Sequence, residues 1–257
     1  MHSFKFSNKV LSATIGEAVI SSGIEKPINI KYLNPFNFWA WENSGSLTEG
    51  LNAFLFTGFE LFFRQKYRIY GELLFDDINF HNSNQYYLNR YAYLIGFHKT
   101  SFPFPSSNIW FEHSNVLNQV YQSYHPTHIY THRGFAIGHY LGNDFINNRF
   151  HYSQIIDSLN AKVFFDFSYL IQGYNSLETP FDNPWEDDKG NKVIDYVHPG
   201  FPTPPLTTLI DFNFGFELIL SDLTNLSISI QNQKTLKNDF QTVLKFRFWS
   251  YVNILNV

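Results

Sequence analysis

The chain has 257 residues, a length that suits one large β-domain, and its residues are 19% aromatic but only 16% charged, which is poor in charge for a soluble protein. Its net charge of -4 gives no electrostatic reason to expect nucleic acid as a partner, and the absence of cysteine excludes disulfides and thiolate metal sites. No run approaches the roughly 18 consecutive apolar residues of a membrane-spanning helix, which excludes a helical membrane protein.

Ten predicted strands follow one another along the chain, each with apolar and polar side chains in alternation. They span residues 10–20, 51–63, 66–78, 89–99, 108–121, 148–158, 160–174, 207–220, 224–233 and 239–250. Successive strand residues point to opposite faces, so each strand has an apolar and a polar side. In 160–174 only Phe164 and Leu170 interrupt the polar side. Most of these strands reach the length, roughly 9–11 residues, with which a tilted strand crosses a bilayer.

The connections between these strands alternate between short polar turns and long loops near residues 26–49, 122–147 and 176–208. Outer-membrane barrels are built in this way, with short turns on one side and long loops on the other. We therefore predict a single all-β domain over residues 1–257, an antiparallel transmembrane β-barrel with about 10–12 strands in this chain, complete or part of a larger barrel. A soluble β-sandwich is the alternative, and the long aromatic runs favour the barrel.

The alternation also predicts which side chains face lipid and which face the lumen. The lipid-facing set is aromatic and contains Phe165, Phe167, Phe212, Phe214, Phe216, Phe246 and Phe248. The predicted lumen network is polar and contains Arg68, Glu72, Asp76, Lys162, Asp166, Asp211, Glu217, Lys245 and Arg247. We interpret the carboxylates among them as members of an ion-pair network rather than as catalytic acids.

Metal binding and catalysis are the other chemistry that the sequence offers. His128 and His132 would share a face in extended chain, but no carboxylate is fixed beside them, so we predict a structural role and neither metal nor cofactor. Ser123, His125 and Asp144 are the best available set for a hydrolase, and nothing in the sequence brings them together. We therefore predict that the protein is not an enzyme.

Three short motifs carry a family resemblance. They are Gly71 to Asp77 (GELLFDD), the Asn34-Pro35-Phe36 loop followed by Trp39 and Glu42, and His132-Arg133-Gly134 leading to Gly138 and Leu141-Gly142-Asn143-Asp144. With these motifs the chain resembles the Wzi-type capsule-assembly family of outer-membrane β-barrels, and it looks like the carboxy-terminal portion of a member. The resemblance implies binding of exopolysaccharide and retention of capsule at the cell surface.

The long loops support the same function from their own residues. They offer Trp39, Trp41 and Trp185 as aromatic surfaces for sugar rings, with Asp187 and Asp188 as polar partners. We predict a non-enzymatic protein of the bacterial outer membrane whose partners are membrane lipid and capsular or extracellular polysaccharide. The alternative is a porin-like channel for small solutes. Residues 1–12 do not read as a signal peptide, so we expect the true start to lie upstream.

Overall fold

The computed structural model describes residues 2–21, 51–77, 90–123, 128–132, 135–179, 200–221, 224–235 and 241–250. Thirteen strands are defined there: β1 (His2–Ser7), β2 (Leu11–Ser21), β3 (Leu51–Phe63), β4 (Tyr67–Asp77), β5 (Arg90–Thr100), β6 (Ser107–Val116), β7 (Thr131–His132), β8 (Phe135–Ala136), β9 (Phe145–Ile156), β10 (Ala161–Gln172), β11 (Thr207–Ser221), β12 (Thr224–Thr235) and β13 (Gln241–Ser250). Eleven of them form one antiparallel sheet in chain order, and β7 and β8 pair separately as a small hairpin.

The all-β, antiparallel prediction is confirmed, and each of the ten predicted strands has a counterpart within a few residues. Strand β1 was not predicted, and the strand predicted over 108–121 ends at Val116, where the chain leaves the sheet. Within the described ranges, no helix has the length and apolar character needed to cross a bilayer. The sheet order begins at β1 and ends at β13, and no pairing between these two strands occurs among the described residues. Closure into a barrel stays a prediction.

The register places the two kinds of side chain on opposite faces of the sheet. One cross-strand row on the first face reads Leu61, Ile69, Phe97, Phe111, Phe150, Phe167 and Phe212, from β3 to β11. A row on the second face reads Arg68, His98, Trp110, His151, Asp166, Asn213 and Gln231, from β4 to β12. We call the first the apolar face and the second the covered face, because part of the chain packs on it.

Connections of different length meet the sheet at opposite edges. One edge, the turn edge, carries the connections 8–10, 64–66, 101–106, 157–160 and 222–223. The other, the loop edge, carries 22–50, 78–89, 117–144, 173–206 and 236–240. Every connection of ten residues or more thus lies at the loop edge, as the alternation in the sequence predicts.

The short turns are fixed by residues that suit their backbone geometry. The side-chain oxygen of Asn8 accepts the N–H groups of Val10 and Leu11 at 2.8 and 2.7 Å, which closes the turn between β1 and β2. Arg64 and Gln65 both have positive φ, at 52° and 55°, a geometry that matches the twist of paired strands. These turns set the register of their hairpins.

The hydrophobic core lies on the covered face near the loop edge. The described parts of residues 117–144 fold back over the ends of β2 to β6 and β9, and we call residues 117–144 the covering segment. The core cluster consists of Ala18, Phe54, Ala92, Val116, Val120, Tyr121 and Phe145. The fully buried members include Phe54 and Phe145 from the sheet and Val120 from the covering segment, each with 0% of its surface exposed. The covering segment is therefore part of the core rather than a free loop.

Candidate functional site

Two tyrosines of the covering segment pack on the sheet. Tyr121 and Tyr130 stack with ring centroids 5.5 Å apart, and the ring of Phe54 lies 6.2 Å from the first and 4.7 Å from the second. The N–H of Tyr130 donates to the carbonyl of Tyr121 at 2.9 Å, and the N–H of Ile137 donates to the carbonyl of Tyr130 at 3.0 Å. These bonds fold the segment back on itself and present its aromatic side to the sheet.

Two hydrogen bonds hold Tyr121 in place. Its N–H donates to the carboxylate of Asp76 on β4 at 2.7 Å, and its hydroxyl accepts the N–H of His139 at 3.4 Å. The second bond depends on Gly138, because a Cβ at that position would overlap the Tyr121 ring. Asp76, which the sequence predicts for the lumen network, thus contacts the covering segment.

A buried amide network joins the covering segment to the connection between β10 and β11. The carbonyl of Asn118 accepts from the side-chain amides of Asn143 and Asn175, the latter at 2.6 Å. The side-chain amide of Gln122 donates to the carbonyl of Ser176, also at 2.6 Å. Buried side-chain amides that donate to main-chain carbonyls fix the two backbones relative to each other. Two connections that are far apart in sequence therefore form one body at the loop edge.

Asp144 anchors this body to the first residue of β9. It is fully buried, with positive φ of 59°, and its two carboxylate oxygens each accept a backbone N–H, from Asn175 and from Thr203, both at 2.9 Å. Burial raises the pKa of the Asp144 carboxyl above its ordinary value, and these hydrogen bonds oppose that shift. The carboxylate thus pins both ends of the 175–203 stretch.

This arrangement bears on the hydrolase set weighed from the sequence. Asp144 uses both oxygens for main-chain N–H groups, and Ser123 is half-buried at the end of a described range. His125 lies outside the described residues. The described residues thus give Asp144 a structural role and bring no histidine against it as a triad requires.

A cavity of about 800 Å³ lies between the covering segment and the covered face. This volume falls in the range of small-ligand sites. Near the loop edge its lining is apolar and includes Phe54, Phe56, Leu74, Val116, Tyr121 and Tyr130. Towards the turn edge its lining is polar and includes Glu60, Arg68, Tyr70, Glu72, Glu112 and Arg149. A molecule in this space would meet aromatic groups on one side and both signs of charge on the other.

The polar wall of the cavity is organised around Tyr70. Arg68 forms an ion pair with Glu60 and lies over the Tyr70 ring, 4.3 Å from its centroid. The Tyr70 hydroxyl donates to the Glu112 carboxylate at 2.9 Å. Gly96, the cross-strand partner of Tyr70, leaves room for the ring, which would overlap a Cβ there. The wall is therefore pre-positioned by packing as well as by charge.

A second polar group continues this wall across β6, β9, β10 and β11. The Arg149 guanidinium lies 5.2 Å from the Trp110 ring, and that ring stacks with His151. A ring nitrogen of His151 lies 2.6 Å from the Asp166 carboxylate, which also accepts from the Asn213 amide at 3.1 Å. Arg149 forms no ion pair with any described residue. It is a cation that faces the cavity and lacks a carboxylate partner in the described part of the chain.

The covering segment also contains groups whose protonation is altered by its packing. Burial lowers the pKa of His139 to about 4, and the positive charge of Arg149 acts in the same direction. Burial raises the pKa of Tyr121 to about 12, against the bond that its hydroxyl accepts from His139. Both rings are therefore neutral near pH 7.

The other predicted lumen residues lie on the covered face where they are described. Asp211 accepts from the Gln231 amide at 2.8 and 2.9 Å, and Lys162 is the cross-strand partner of Glu217. Lys245 and Arg247 occupy positions opposite Ser229 and Ser227. Glu72 is exposed along the cavity. By register, these residues occupy alternate positions on the same side of their strands, in several separate groups.

The two histidines considered for metal binding do not share a surface. His128 is buried and its carbonyl accepts from the Asn52 amide at 3.1 Å, whereas His132 is exposed on β7. No cluster of three or more potential ligands occurs within the described ranges. The shared face expected for extended chain is absent because the chain turns at His128 rather than continuing as a strand.

The predicted glycan-binding residues cannot be placed. Trp39 and Trp41 lie in residues 22–50, and Trp185, Asp187 and Asp188 lie in residues 180–199, both outside the described residues. The predicted lumen network does not include Tyr70, Glu112 or Arg149. Each occupies an alternate position on the polar side of its strand, and only the register brings them into one wall.

Comparison with known protein families, with curated proteins and with solved structures found no match for this chain.

Proposed function

We propose that the chain forms all or part of an outer-membrane β-barrel that binds capsular or extracellular polysaccharide at its loop edge and does not cleave it. The fold supports a place in the membrane. The covering segment favours a protein that holds a polysaccharide over a channel that passes solutes. The composition of the long loops supports a glycan as the ligand.

The exposed apolar face supports a membrane environment. Large apolar side chains on it remain open to solvent in strand after strand, including Ile15, Ile95, Phe111, Phe214 and Ile230, which are 43–57% exposed. Although His113, Asn115 and Asn148 interrupt this face, an apolar surface of this kind would drive association in water. Lipid would cover it at a gain of about 25 cal/mol per Å² of apolar surface removed from water.

Aromatic residues at both margins of that face fit the same environment. Phe63, Tyr67 and Tyr152 lie near the turn edge, and Tyr93 and Tyr169 lie towards the loop edge. Membrane barrels carry aromatic girdles at both interfaces, where a ring can meet the acyl chains while its hydroxyl meets water. A sheet that is flanked in this way suits a bilayer better than the centre of a sandwich.

The position of the covering segment is the observation that favours polysaccharide attachment over the passage of small solutes. The segment is built into the core through Val120 and Tyr121 and lies across the loop-edge end of the covered face. In a barrel, the covered face would line the lumen, and a segment packed there would close its outer mouth. A closed mouth suits a protein that holds a polymer on its long loops.

The long loops and the family resemblance supply the choice of ligand. Trp39, Trp41 and Trp185 offer flat apolar surfaces for sugar rings, with Asp187 and Asp188 as hydrogen-bond acceptors. The resemblance to the Wzi-type family agrees with this choice. The resemblance implies that the protein retains capsule at the cell surface. For this chain, capsule retention remains a prediction.

Replacing Trp39, Trp41 and Trp185 with alanine tests the glycan proposal. We expect cells that carry this triple variant to release capsular polysaccharide into the medium, while the protein still enters the outer membrane. Trp110→Ala, on the covered face, is the matched control and should retain the polymer. Equal retention by the parent and the triple variant would contradict a role for these loops, and shortened glycan chains after incubation with purified protein would indicate an enzyme.

A porin-like channel is the second candidate function, because the polar wall of the cavity carries both positive and negative side chains. Conductance across a planar bilayer separates the two. We expect the parent chain to give no steady ohmic current, and deletion of residues 124–134 from the covering segment to produce one. A large steady current through the parent would favour the channel.

A further inference from the structure

The turn-edge margin of the apolar face contains a single lysine within a row of apolar and aromatic residues. The cross-strand row reads Phe63, Tyr67, Lys99, Ile109 and Tyr152, from β3 to β9. A charged side chain on a lipid-facing surface is costly at the bilayer centre and much less so at the interface. We therefore expect Lys99 to lie at the boundary between the hydrocarbon core of the bilayer and its headgroup region.

Aromatic rings surround the Lys99 ammonium group. Its nitrogen lies 3.8 Å from the centroid of the Phe102 ring and 4.9 Å from that of Tyr67, and Tyr67 stacks on Phe63 with parallel rings 4.7 Å apart. Within the described residues Lys99 forms no ion pair. The rings hold the cation in place and leave its charge without a carboxylate to neutralise it.

Further cations lie along the same edge of the sheet. Lys66 is exposed, and its carbonyl accepts the N–H of Thr100 at 2.9 Å, so its backbone is fixed next to the end of β5. Arg64 lies in the same turn and Lys9 in the turn between β1 and β2. The connections 8–10, 64–66 and 101–106 contain no Asp or Glu. This half of the turn edge is therefore positive as well as aromatic.

The longest connection at the other edge of the sheet is acidic in its sequence. The 173–206 connection alone contains Glu178, Asp182, Glu186, Asp187, Asp188 and Asp195, against Lys189 and Lys192. This difference between the sequence of 173–206 and the connections 8–10 and 64–66 would favour one orientation of the chain between two layers of different charge.

Beside the cations, the 101–106 connection presents an apolar surface. Phe102 and Phe104 are 44% and 59% exposed and alternate with Pro103 and Pro105. The ligand of this margin must therefore combine a negative head, which accepts hydrogen bonds from ammonium groups, with an apolar body that covers aromatic rings. A free anion meets only the first of these needs, whereas an anionic phospholipid meets both.

We propose that Lys99 and Lys66, with Phe102 and Tyr67, form a binding site for the phosphate headgroup of an anionic phospholipid in the leaflet at the turn edge. The proposal rests on the membrane placement given under Proposed function. The lipid phosphate accepts from the two ammonium groups, and the acyl chains lie along the apolar face beside Phe97 and Phe111.

The test is a lipid titration of the full chain in detergent, with phosphatidylglycerol and phosphatidylcholine compared by native mass spectrometry. Each basic residue near an anionic lipid surface contributes about 1 kcal/mol, so Lys66→Gln/Lys99→Gln should weaken phosphatidylglycerol binding by roughly 30-fold. Phosphatidylcholine binding should be unchanged. Lys234→Gln/Lys237→Gln removes the same charge from the loop edge and should leave the preference for phosphatidylglycerol intact.

The outcomes separate this site from the proposed function. If the parent and the Lys66→Gln/Lys99→Gln variant both insert into phosphatidylcholine vesicles and bind phosphatidylglycerol equally, the lipid site is wrong and the membrane placement stands. Equal losses in the turn-edge and loop-edge variants would also overturn the site, because net charge alone would then explain them. If the parent inserts into no vesicle, both proposals fall.

Discussion

The two ends of the covered face use the same strands for different purposes. Near the loop edge, β3 contributes Phe54 to a core in which several side chains are fully buried. Near the turn edge, the same strand contributes Glu60 to a polar wall and carries Phe62, one residue before its end, which is 37% exposed. The difference shows that the covering segment, rather than the sheet, decides where this face becomes a core. When a β-strand is apolar at one end and charged at the other, only the apolar end has to be buried by another part of the chain.

The sharpest test of this contrast replaces two phenylalanines of the same strand and face. Phe54→Ala leaves a cavity in the core and should cost about 3–5 kcal/mol in the free energy of unfolding. Phe62→Ala, the matched control, removes a ring that is already part-exposed and should cost about 1 kcal/mol. Urea unfolding of both variants in lipid vesicles, followed by tryptophan fluorescence, measures the difference. Equal costs would mean that the covering segment does not form a core in the membrane.

A second test compares the two faces rather than the two ends. Phe214 and Asn213 are neighbours on β11 and lie on opposite faces, with Phe214 57% exposed. An arginine on the lipid-facing surface costs about 2–4 kcal/mol near the bilayer midplane. We therefore expect Phe214→Arg to impair assembly in vesicles much more than Asn213→Arg, as measured by protease protection. Equal tolerance of the two changes would contradict the barrel.

The smallest expected effect is a pH dependence confined to the loop-edge end. His139 has a folded pKa near 4, below the ordinary value of 6.5, so the unfolded chain binds the proton more readily between these values. Its contribution to stability is complete above about pH 6.5 and is lost as the pH falls towards 4. His139→Gln should remove this part of the pH dependence. Parallel stability curves for parent and variant between pH 7 and pH 5 would show that the ring is not buried.

The strands could be predicted because their signal is local. A two-residue rhythm over ten residues identifies a strand whichever strand lies beside it. Strand β1 lacked enough residues to show that rhythm clearly. Phe164 and Leu170 interrupt the polar side of β10, and only the fold explains why these positions are apolar. Phe164 lies over Gly215 of the next strand, and Leu170 packs against the core cluster.

The candidate site could not be predicted in the same way because it depends on contacts that are distant in sequence. Tyr70 and Glu112 are 42 residues apart, and Asp144 meets Thr203 across 59 residues. Nothing near any of these residues specifies its partner. Glycines at 134, 138 and 142 permit a loop to fold closely against a sheet, but the sequence does not say which residue it meets. Gly138 beneath Tyr121 is the residue that allows the covering segment its close approach.

The carboxylate of Asp144 also has a mechanical meaning. Asn175 and Thr203, at the two ends of one long connection, both donate to it, and the N–H of Tyr174 donates to the carbonyl of Thr203 at 2.8 Å. If residues 180–199 bind a polymer as proposed, tension on them would act on the hydrogen bonds that join Asp144, Tyr174, Asn175 and Thr203. From there it would act on β9 and β10. Tension would therefore reach the sheet through a base that is itself hydrogen-bonded, rather than through the separate ends of two strands.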